Sequence, residues 1–399
     1  MVSVVQLLPG KPGQSGVAAL DSLAEGLSAP ERALLARALE FAEPLYAGQT
    51  LSTGEPAWPH ALGLAGNLAA IGMDPAARAA GILFAAPKLL DGPDALEEAF
   101  GPEVAALAGG VEKLYRLRVL TRAAPGEQNE ILRKMVLGMV EDIRVVLIRL
   151  ASRTQTLRYF ARVDSDEKVS FAKETLSIYA PLANRLGVWQ LKWELEDLSF
   201  RYLEPELYKK IAQMLDQKRV ERERYIANSI ALLGNELKKA GLQAEVTGRP
   251  KHIYSIWNKM RAKQLDFSGV HDVRALRVIV PTPGECYSVL GIVHDLWEPI
   301  PKEFDDYISR PKGNNYQSLH TAVIGPGGRT LEVQIRTEEM HRQAEFGFAA
   351  HWRYKESRKT SKTESAFDNK IAWLRELLAW RDEVAGTGSW AEKTKQASL

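Results

Sequence analysis

The feature that most constrains the fold of this chain is a change of hydrophobic periodicity at Gly241. Before it, apolar residues recur three and four positions apart, as in PERALLARALEFAEPLY, which is typical of amphipathic helices. After it, short runs such as VRALRVIV alternate with helical stretches such as GECYSVLGIVHDLW. We therefore predict an α+β chain, in which an all-helical part is followed by an α/β domain with a mixed sheet.

The same pattern suggests domain boundaries. Residues 1–165 are expected to form a helical domain and residues 166–241 a helical connector, broken at Ala180-Pro181 because proline disfavours helix for the residue before it. Residues 242–380 are expected to form the α/β domain, and residues 381–399 a polar tail. The connector includes a long helix from Pro205 to Lys239, which we interpret as a spacer.

Composition narrows the class of protein. A length of 399 residues fits two or three domains, and no window approaches the roughly 18 apolar residues of a membrane span, so we expect a soluble, cytoplasmic protein. The one cysteine, Cys286, is expected to be buried and inert. Residues 1–130 hold 9 basic and 15 acidic side chains, and residues 131–399 hold 43 and 35. A basic surplus suits phosphate binding, although solvated helix faces explain it equally well.

Two basic or acidic clusters lie at element ends in the α/β part. Arg249, Lys251, Ser255 and Lys259 flank a predicted helix start, where free backbone N–H groups favour anions. Asp272 precedes a hydrophobic strand, a position from which a carboxylate can hold a divalent ion or simply cap a turn. Each cluster alone is common in proteins without any nucleotide site.

Alternation in LEVQIRT places Glu332, Gln334 and Arg336 on one face of a predicted strand. Glu332 is therefore a candidate partner of Asp272 around a metal, or a general base, unless this face is simply solvated. Further candidates are an acidic stretch and a Gly/Asn loop that ends in a tyrosine. A purine could stack on the tyrosine ring, although the loop is equally well interpreted as an ordinary turn. These candidates are Glu303, Asp305 and Asp306, and Lys312, Asn314, Tyr316 and His320.

Taken in order, these segments closely resemble the RelA/SpoT family of guanosine polyphosphate synthetases. The resemblance runs from about residue 130 to residue 380 and extends more weakly into the helical part. The segments that carry it are YAPLANRLG (179–187), LKWELEDLSFRYL (191–203), GRPKHIYSIWNKM (248–260), DVRALR (272–277), EFDDYI (303–308), YQSLHT (316–321), LEVQIRT (331–337) and MHRQAEFGFAAHWRYKE (340–356).

The resemblance implies a nucleotidyltransferase-like fold and the transfer of pyrophosphate from ATP to the 3′-hydroxyl of GTP or GDP, with release of AMP. It implies that Asp272 and Glu332 hold Mg²⁺, with Glu332 alternatively acting as the base. It also implies an ATP group and a guanosine group. The ATP group is Arg249, Lys251, Ser255, Lys259 and Arg277, and the guanosine group is Lys312, Asn314, Tyr316, His320 and Gln334.

Two details refine the resemblance. The acidic Glu303, Asp305 and Asp306 look like the version of this stretch in synthesis-only, magnesium-using members. The loop departs from the family's Lys-Pro-Asn-Gly-Tyr, because Gly313 stands in place of the proline and Asn315 in place of the glycine. Asparagine tolerates positive φ, but a glycine loosens a loop that proline would stiffen.

The larger departure concerns the helical part, which in bifunctional relatives is a metal-dependent hydrolase. The His-Asp and Glu-Asp pairs and the later Asp of that enzyme are replaced here, which leaves His60 as the remaining candidate ligand. One imidazole cannot hold a catalytic metal, so we expect a pseudo-hydrolase domain without alarmone hydrolysis. The replacing residues are Phe84, Ala85, Lys88, Leu89 and Ser152.

Two other functions remain open at this point. The basic surplus and the degenerate hydrolase positions also fit a non-catalytic module that senses nucleotides or binds the ribosome or RNA. A different nucleotidyltransferase of the same general fold is a third reading. Through the resemblance we expect ATP and GTP or GDP as substrates, no membrane partner, and a ribosome carrying uncharged tRNA as a partner of C-terminal regions absent from this chain.

Overall fold

The computed structural model describes residues 16–90, 94–120, 142–217, 219–249, 251–262, 264, 274–312 and 316–346. The described residues fall into two compact units, one that ends at Tyr179 and one that begins at Ala180. Within the described part of the chain, no helix is long and apolar enough to cross a membrane. The tail expected at 381–399 lies outside the described residues.

The first unit is all-helical where it is described, as predicted. Proline and aspartate mark its helix starts: Asp74 caps the helix that opens with Pro75 and accepts a hydrogen bond from the Ala77 N–H. The helix Ile143–Phe160 is buried along nearly its whole length and packs against Ala57–Ala70. The helices are α1 Gly16–Leu23, α2 Ala29–Leu45, α3 Ala57–Ala70, α4 Pro75–Ile82, α5 Ala86–Leu89, α6 Asp94–Leu120, α7 Ile143–Phe160 and α8 Glu167–Glu174, followed by a π-helical turn, Thr175–Tyr179.

The second unit combines helices with a five-stranded sheet. Its Pro181 lies in the first turn of a helix, directly after the π-helical turn, so the break expected at Ala180-Pro181 is wrong: the wider turn avoids the clash of the proline ring with the preceding backbone. The helices are α9 Ala180–Arg185, α10 Trp189–Leu203, α11 Pro205–Gln217, α12 Arg219–Lys239, α13 Ile253–Ala262, α14 Pro283–Leu296 and α15 Glu338–Phe346, and the strands are β1 Glu245–Gly248, β2 Ala275–Val280, β3 Glu298–Asp306, β4 Leu319–Gly325 and β5 Arg329–Thr337.

The strand order is β1-β2-β5-β4-β3, and β2 and β5 are parallel while the other pairs are antiparallel. The predicted mixed sheet is confirmed. Strand β3 was not anticipated from the sequence because it contains Pro299 and Pro301, which are usually evidence against a strand. Its place at the edge of the sheet explains why both prolines are tolerated, since edge residues do not all donate to a neighbour.

One face of the sheet is covered by α12 and α14 through a shared apolar cluster that includes Leu233, Val289 and Val333. Cys286 lies in this cluster, fully buried as predicted, and burial raises the pKa of its thiol to about 11. Because side chains alternate along β5, Glu332 and Gln334 face away from this core. The second face of the sheet is therefore the polar one.

Candidate functional site

One row of side chains crosses all five strands on the polar face. Thr247 pairs with Arg277, Arg277 with Gln334, Gln334 with His320, and His320 with Asp305. Residues directly opposite each other in neighbouring strands project to the same side of a sheet. Four of the sequence-selected positions are thus brought into line, although they come from four separate stretches of sequence.

A pocket opens on this face, with about 560 Å³ of empty space that includes space open to solvent. Four of its side chains are cationic, three are aromatic rings, and one is a carboxylate. Its lining residues are Trp189, Trp193, Arg249, Arg277, Lys312, Tyr316, His320, Gln334, Arg336, Ala344 and Glu345.

Glu332 lies beside this pocket between two cations. Its carboxylate is 3.4 Å from the Lys251 Nζ and 3.7 Å from an Arg249 guanidinium nitrogen, and it accepts a 2.9 Å hydrogen bond from the Gln334 amide. Burial acts to raise the pKa of Glu332, but Lys251 and Arg249 outweigh it and lower the pKa to about 2. The carboxylate therefore stays ionised throughout the physiological range.

Arg277 and Arg336 share one carboxylate, that of Glu345 on α15, at 3.1 and 3.0 Å. His341 lies 2.6 Å from the same Arg336 nitrogen. Burial, with the repulsion of Arg336, lowers the pKa of Arg277 to about 10, and burial next to both arginines lowers the pKa of His341 to about 4. The far end of the pocket is thus a partly buried cluster of two arginines, one histidine and one glutamate.

Tyr316 stands at the aromatic side of the pocket. Its hydroxyl lies 2.8 Å from His320 Nε2, and its ring is 5.8 Å from the Trp189 ring in an edge-on arrangement. The Lys312 ammonium is 4.1 Å from the centre of the Tyr307 ring and 5.7 Å from that of Tyr316. Such a surface of rings and cations is suited to a flat, anionic ligand.

Two partly buried histidines predict that acid destabilises the second unit. Burial lowers the pKa of both His320 and His341 to about 4, from an ordinary value of 6.5. As the pH falls through 6.5, the histidines of the unfolded chain take up protons while those of the folded chain do not. The free energy of unfolding should therefore be highest above pH 6.5, as far as these two histidines are concerned, and should decrease between pH 6.5 and 4. Thermal melts from pH 7.5 to 4.5 test this decrease. The variant His341→Gln should show a shallower decrease, and an unchanged slope would contradict the account.

The α10 tryptophans were missed in the sequence. Trp193 stacks on His252 at 4.7 Å, and the Arg249 guanidinium lies 5.7 Å from the Trp193 ring centre. The spacing of Trp189 and Trp193, four residues apart on a helix, places both on one face and is the signal that was available. Arg336 and Glu345 were also not selected, because only the fold of α15 against the strands brings Glu345 to the pocket.

The acidic stretch lies on the edge strand β3. Asp306 accepts hydrogen bonds of 2.9 Å from the N–H groups of Ile308 and Ser309, which lower its pKa against the effect of burial. This carboxylate therefore caps its own turn. Glu303 and Asp305 are exposed, and Asp305 is the member that joins the row across the sheet.

Other predicted positions lie elsewhere. Ser255 and Lys259 are on α13 and do not line this pocket, and Lys251 reaches the site through Glu332. Asp272, Asn314 and the loop residues Gly313 and Asn315 lie outside the described residues. In the part of the chain that is described, no group of three or more His, Cys, Asp or Glu could hold a metal ion.

In the first unit, His60 is fully buried in a polar network. Its Nδ1 lies 2.8 Å from a Glu55 oxygen and its Nε2 lies 3.0 Å from the Ser152 hydroxyl, which also contacts the Tyr115 hydroxyl. The Phe84 ring lies 4.8 Å from the imidazole. Both ring nitrogens are therefore engaged by protein groups. Of the other replaced positions, Ala85 and Leu89 are partly buried and Lys88 is exposed.

Comparison with known families gives two matches. Residues 38–189 match a model described as an HD domain, and residues 248–359 match one described as the region found in RelA / SpoT proteins. The second match spans the strands and loops that build the pocket from Arg249 to Glu345.

Three relatives illustrate the similarity. The chain is 49% identical over 306 residues to a protein named GTP pyrophosphokinase from Escherichia coli (strain K12), covering 76% of this chain and 41% of that protein. It is 42% identical over 368 residues to a GTP pyrophosphokinase of Myxococcus xanthus, covering 92% and 48%. It is 44% identical over 366 residues to a protein of Synechocystis sp. named probable guanosine-3′,5′-bis(diphosphate) 3′-pyrophosphohydrolase, covering 91% and 48%. The chain spans less than half the length of each relative.

Proposed function

The chain belongs to the RelA/SpoT family through its residues 248–359, and on that premise we propose that it is a (p)ppGpp synthetase. It transfers pyrophosphate from ATP to the 3′-hydroxyl of GTP or GDP. The observation that carries the proposal is the ionised Glu332, held between Lys251 and Arg249 next to a pocket of arginines and aromatic rings. Cations and rings together complement two nucleotides that carry several phosphates each.

The bonds that form and break in this reaction determine what the site must do. The 3′-oxygen of the guanosine nucleotide bonds to the β-phosphorus of ATP, the bond from that phosphorus to the bridging oxygen of the α-phosphate breaks, and AMP leaves with the electron pair. The 3′-hydroxyl proton is released. Catalysis of such transfers rests on positioning and on charge stabilisation, both of which an array of fixed cations can supply.

The ATP group is proposed on the β1, β2 and α13 side of the sheet. Arg249 and Arg277 both line the pocket, and Lys251 lies 3.4 Å from Glu332. The two arginines are assigned to the adenine, and Lys251, Ser255 and Lys259 to the phosphates. Burial lowers the pKa of Lys251, whereas the nearby Glu332 carboxylate acts to raise it and so favours the charged ammonium. A charged ammonium is the form of lysine that binds a phosphate.

The guanosine group is proposed around Tyr316, whose ring stacks on the guanine. Lys312, His320 and Gln334 line the same pocket and supply a charge and hydrogen-bonding groups beside it. Asn314 is also assigned to the guanosine group, on the basis of the sequence alone.

We propose Mg²⁺ as the cofactor, held by Asp272 and Glu332. The donor chemistry fits, because magnesium prefers carboxylate oxygens and Glu332 keeps its charge down to about pH 2. Asp272 is two residues before Arg274, whose carbonyl accepts a hydrogen bond from the Glu332 N–H. A bound magnesium ion offsets phosphate charge. Since a group with a pKa near 2 has little affinity for a proton, Glu332 is assigned as a ligand rather than as the base.

Tyr316 gives a selective test of the guanosine assignment. Tyr316→Ala should raise the KM for GTP roughly 5- to 150-fold, because stacking on a base is worth about 1–3 kcal/mol. The KM for ATP should stay within about twofold. Tyr316→Phe, which keeps the ring and loses the hydroxyl, is the matched control and should retain most of the affinity. Equal effects on both substrates would contradict the assignment.

We further propose that the first unit is a pseudo-hydrolase. The support is that Glu55 and Ser152 engage both nitrogens of His60 and that Phe84 packs against its ring. The protein should therefore release no pyrophosphate from ppGpp in the presence of Mn²⁺ or Mg²⁺, as followed by chromatography over hours. Release at a rate comparable to synthesis would contradict this, and the name of the Synechocystis relative makes the assay necessary.

The direct experiment is incubation of the chain with labelled ATP, Mg²⁺ and either GTP or GDP, with and without ribosomes carrying uncharged tRNA. We expect this incubation to give a 3′-pyrophosphorylated guanosine nucleotide and AMP. In the cell, we propose that the reaction takes place in the cytoplasm. Nucleotide or RNA binding without any product under all conditions would favour the non-catalytic reading instead.

A further inference from the structure

The carboxylate of Glu345 has an unusual position, because it lies inside a pocket proposed to receive two polyphosphates. It is largely buried, with 14% of its side chain exposed, and it lines the pocket with Arg277 and Arg336. A carboxylate that faced a phosphate directly would weaken binding by repulsion. Its contribution must therefore be sought through the groups it touches.

Those groups are arginines from the adjacent parallel strands β2 and β5. One Glu345 oxygen, Oε1, lies 3.1 Å from an Arg277 guanidinium nitrogen, 3.0 Å from one of Arg336 and 3.6 Å from His341 Nδ1. Among the described residues, Glu345 is the carboxylate that pairs with these two arginines. A single acceptor atom thus fixes the distance between two like charges.

The protein does not satisfy all the hydrogen-bond donors of these two arginines. The Nε atoms of Arg277 and Arg336 are both buried without a hydrogen-bond partner. Arg336 is 3% exposed, so little solvent is available to it. Buried donors without partners are rare and call for an explanation, and a ligand that enters the pocket is one.

We infer that Glu345 is a positioning residue that holds the Arg277 guanidinium in the orientation needed to stack on the adenine of ATP. This inference rests on the proposed function, since it uses the assignment of Arg277 to ATP. A guanidinium stacks on a base only when its plane is fixed, and Arg277 is repelled by Arg336 nearby. Glu345 offsets that repulsion and removes the rotamer freedom of a long side chain.

The effect should differ between the two substrates. Loss of Glu345 should affect the ATP side, through Arg277, and leave the Tyr316 side unchanged. Glu345→Gln should raise the KM for ATP about tenfold, with kcat and the KM for GTP within about twofold. Glu345→Asp, which keeps the charge on a shorter stem, should give a smaller increase. Glu339→Gln, on an exposed residue of the same helix, is the matched control and should have no effect.

A double-mutant cycle decides whether Glu345 acts through Arg277. The variants Glu345→Gln, Arg277→Gln and the double variant are compared by the KM for ATP and by calorimetric binding of a non-hydrolysable ATP analogue, after circular dichroism has verified folding. The double variant should match Arg277→Gln alone. Multiplied effects, or an equal rise in the KM for GTP, would overturn the inference.

The failures can be told apart. If Arg277→Gln weakens ATP binding while Glu345→Gln and Glu345→Asp do not, the inference on Glu345 is wrong and the proposed function stands. If Arg277→Gln leaves ATP binding unchanged, the assignment of Arg277 is wrong, and the inference falls with it. Should Glu345→Gln fail to fold, the cycle is run with Glu345→Asp, whose effect must likewise vanish in the Arg277→Gln background.

Discussion

Replacing Glu332 by glutamine should lower kcat/KM for the proposed (p)ppGpp synthesis by about a thousandfold. The substitution keeps the size of the side chain and removes the charge that Lys251 and Arg249 hold in place at 3.4 and 3.7 Å. A neutral amide is a poor magnesium ligand and leaves these two cations without their common counter-charge. Initial rates of product formation, measured with saturating ATP and with GTP well below its KM, give the ratio.

The control for this variant is Glu298→Gln, on an exposed glutamate of the edge strand β3. It should leave both activity and melting temperature unchanged. If Glu332→Gln keeps activity within about tenfold of the parent protein while it folds normally, Glu332 is not part of the reacting centre, and the site must be sought elsewhere.

Arg153→Met should destabilise the first unit by roughly 3–5 kcal/mol, the largest stability effect that we expect from one substitution. Arg153 is fully buried and pairs with Glu174 at 2.8 Å. It also donates to the Phe171 carbonyl and to the Thr175 hydroxyl, and its guanidinium lies 3.5 Å from the centre of the Phe171 ring. Methionine fills the space but removes these hydrogen bonds and the positive charge that pairs with Glu174.

Urea unfolding followed by circular dichroism measures this loss as an earlier transition of the helical unit. Arg162→Met, on an exposed arginine shortly after the same helix α7, should change the unfolding free energy by no more than about 0.5 kcal/mol. A loss below about 1 kcal/mol for Arg153→Met would show that the buried charge is not a structural anchor.

The sequence alone predicted most elements of the second unit, because its strands have clear periodicity. The alternation in LEVQIRT places Glu332 and Gln334 on one face, and the register of β5 with β2 and β4 agrees with it. Strand β3 could not be predicted in this way, since Pro299 and Pro301 contradict the local pattern. Only its place at the edge of the sheet makes the two prolines acceptable.

The candidate site was predictable where chemistry follows local sequence, and not where it depends on packing. Arg249 and Tyr316 have neighbours that suggest a nucleotide. Glu345 reaches the pocket because α15 folds back beside β2 and β5, and Trp189 because α10 passes the Tyr316 ring. The contacts of Glu345 with Arg277 and of Trp189 with Tyr316 join residues that are more than fifty positions apart, so no local pattern contains them.

The same limit applies to the first unit. The replacement of the hydrolase positions, such as Phe84, was visible in the sequence, but the groups that surround His60 were not. Glu55 and Tyr115 complete that network from separate helices or loops. A buried carboxylate that holds His60 is a structural finding, and it gives the proposed loss of hydrolysis a physical basis beyond missing ligands.

The most direct test of the central claim is the fate of the individual phosphates of ATP. Parallel reactions with GTP and Mg²⁺ use ATP labelled in the α-phosphate or in the β-phosphate, and the products are separated by chromatography. Pyrophosphate transfer predicts that β-label appears in the guanosine product and that α-label remains in AMP. Transfer of α-label to another molecule with release of pyrophosphate, or retention of both labels in ATP under every condition, would contradict it.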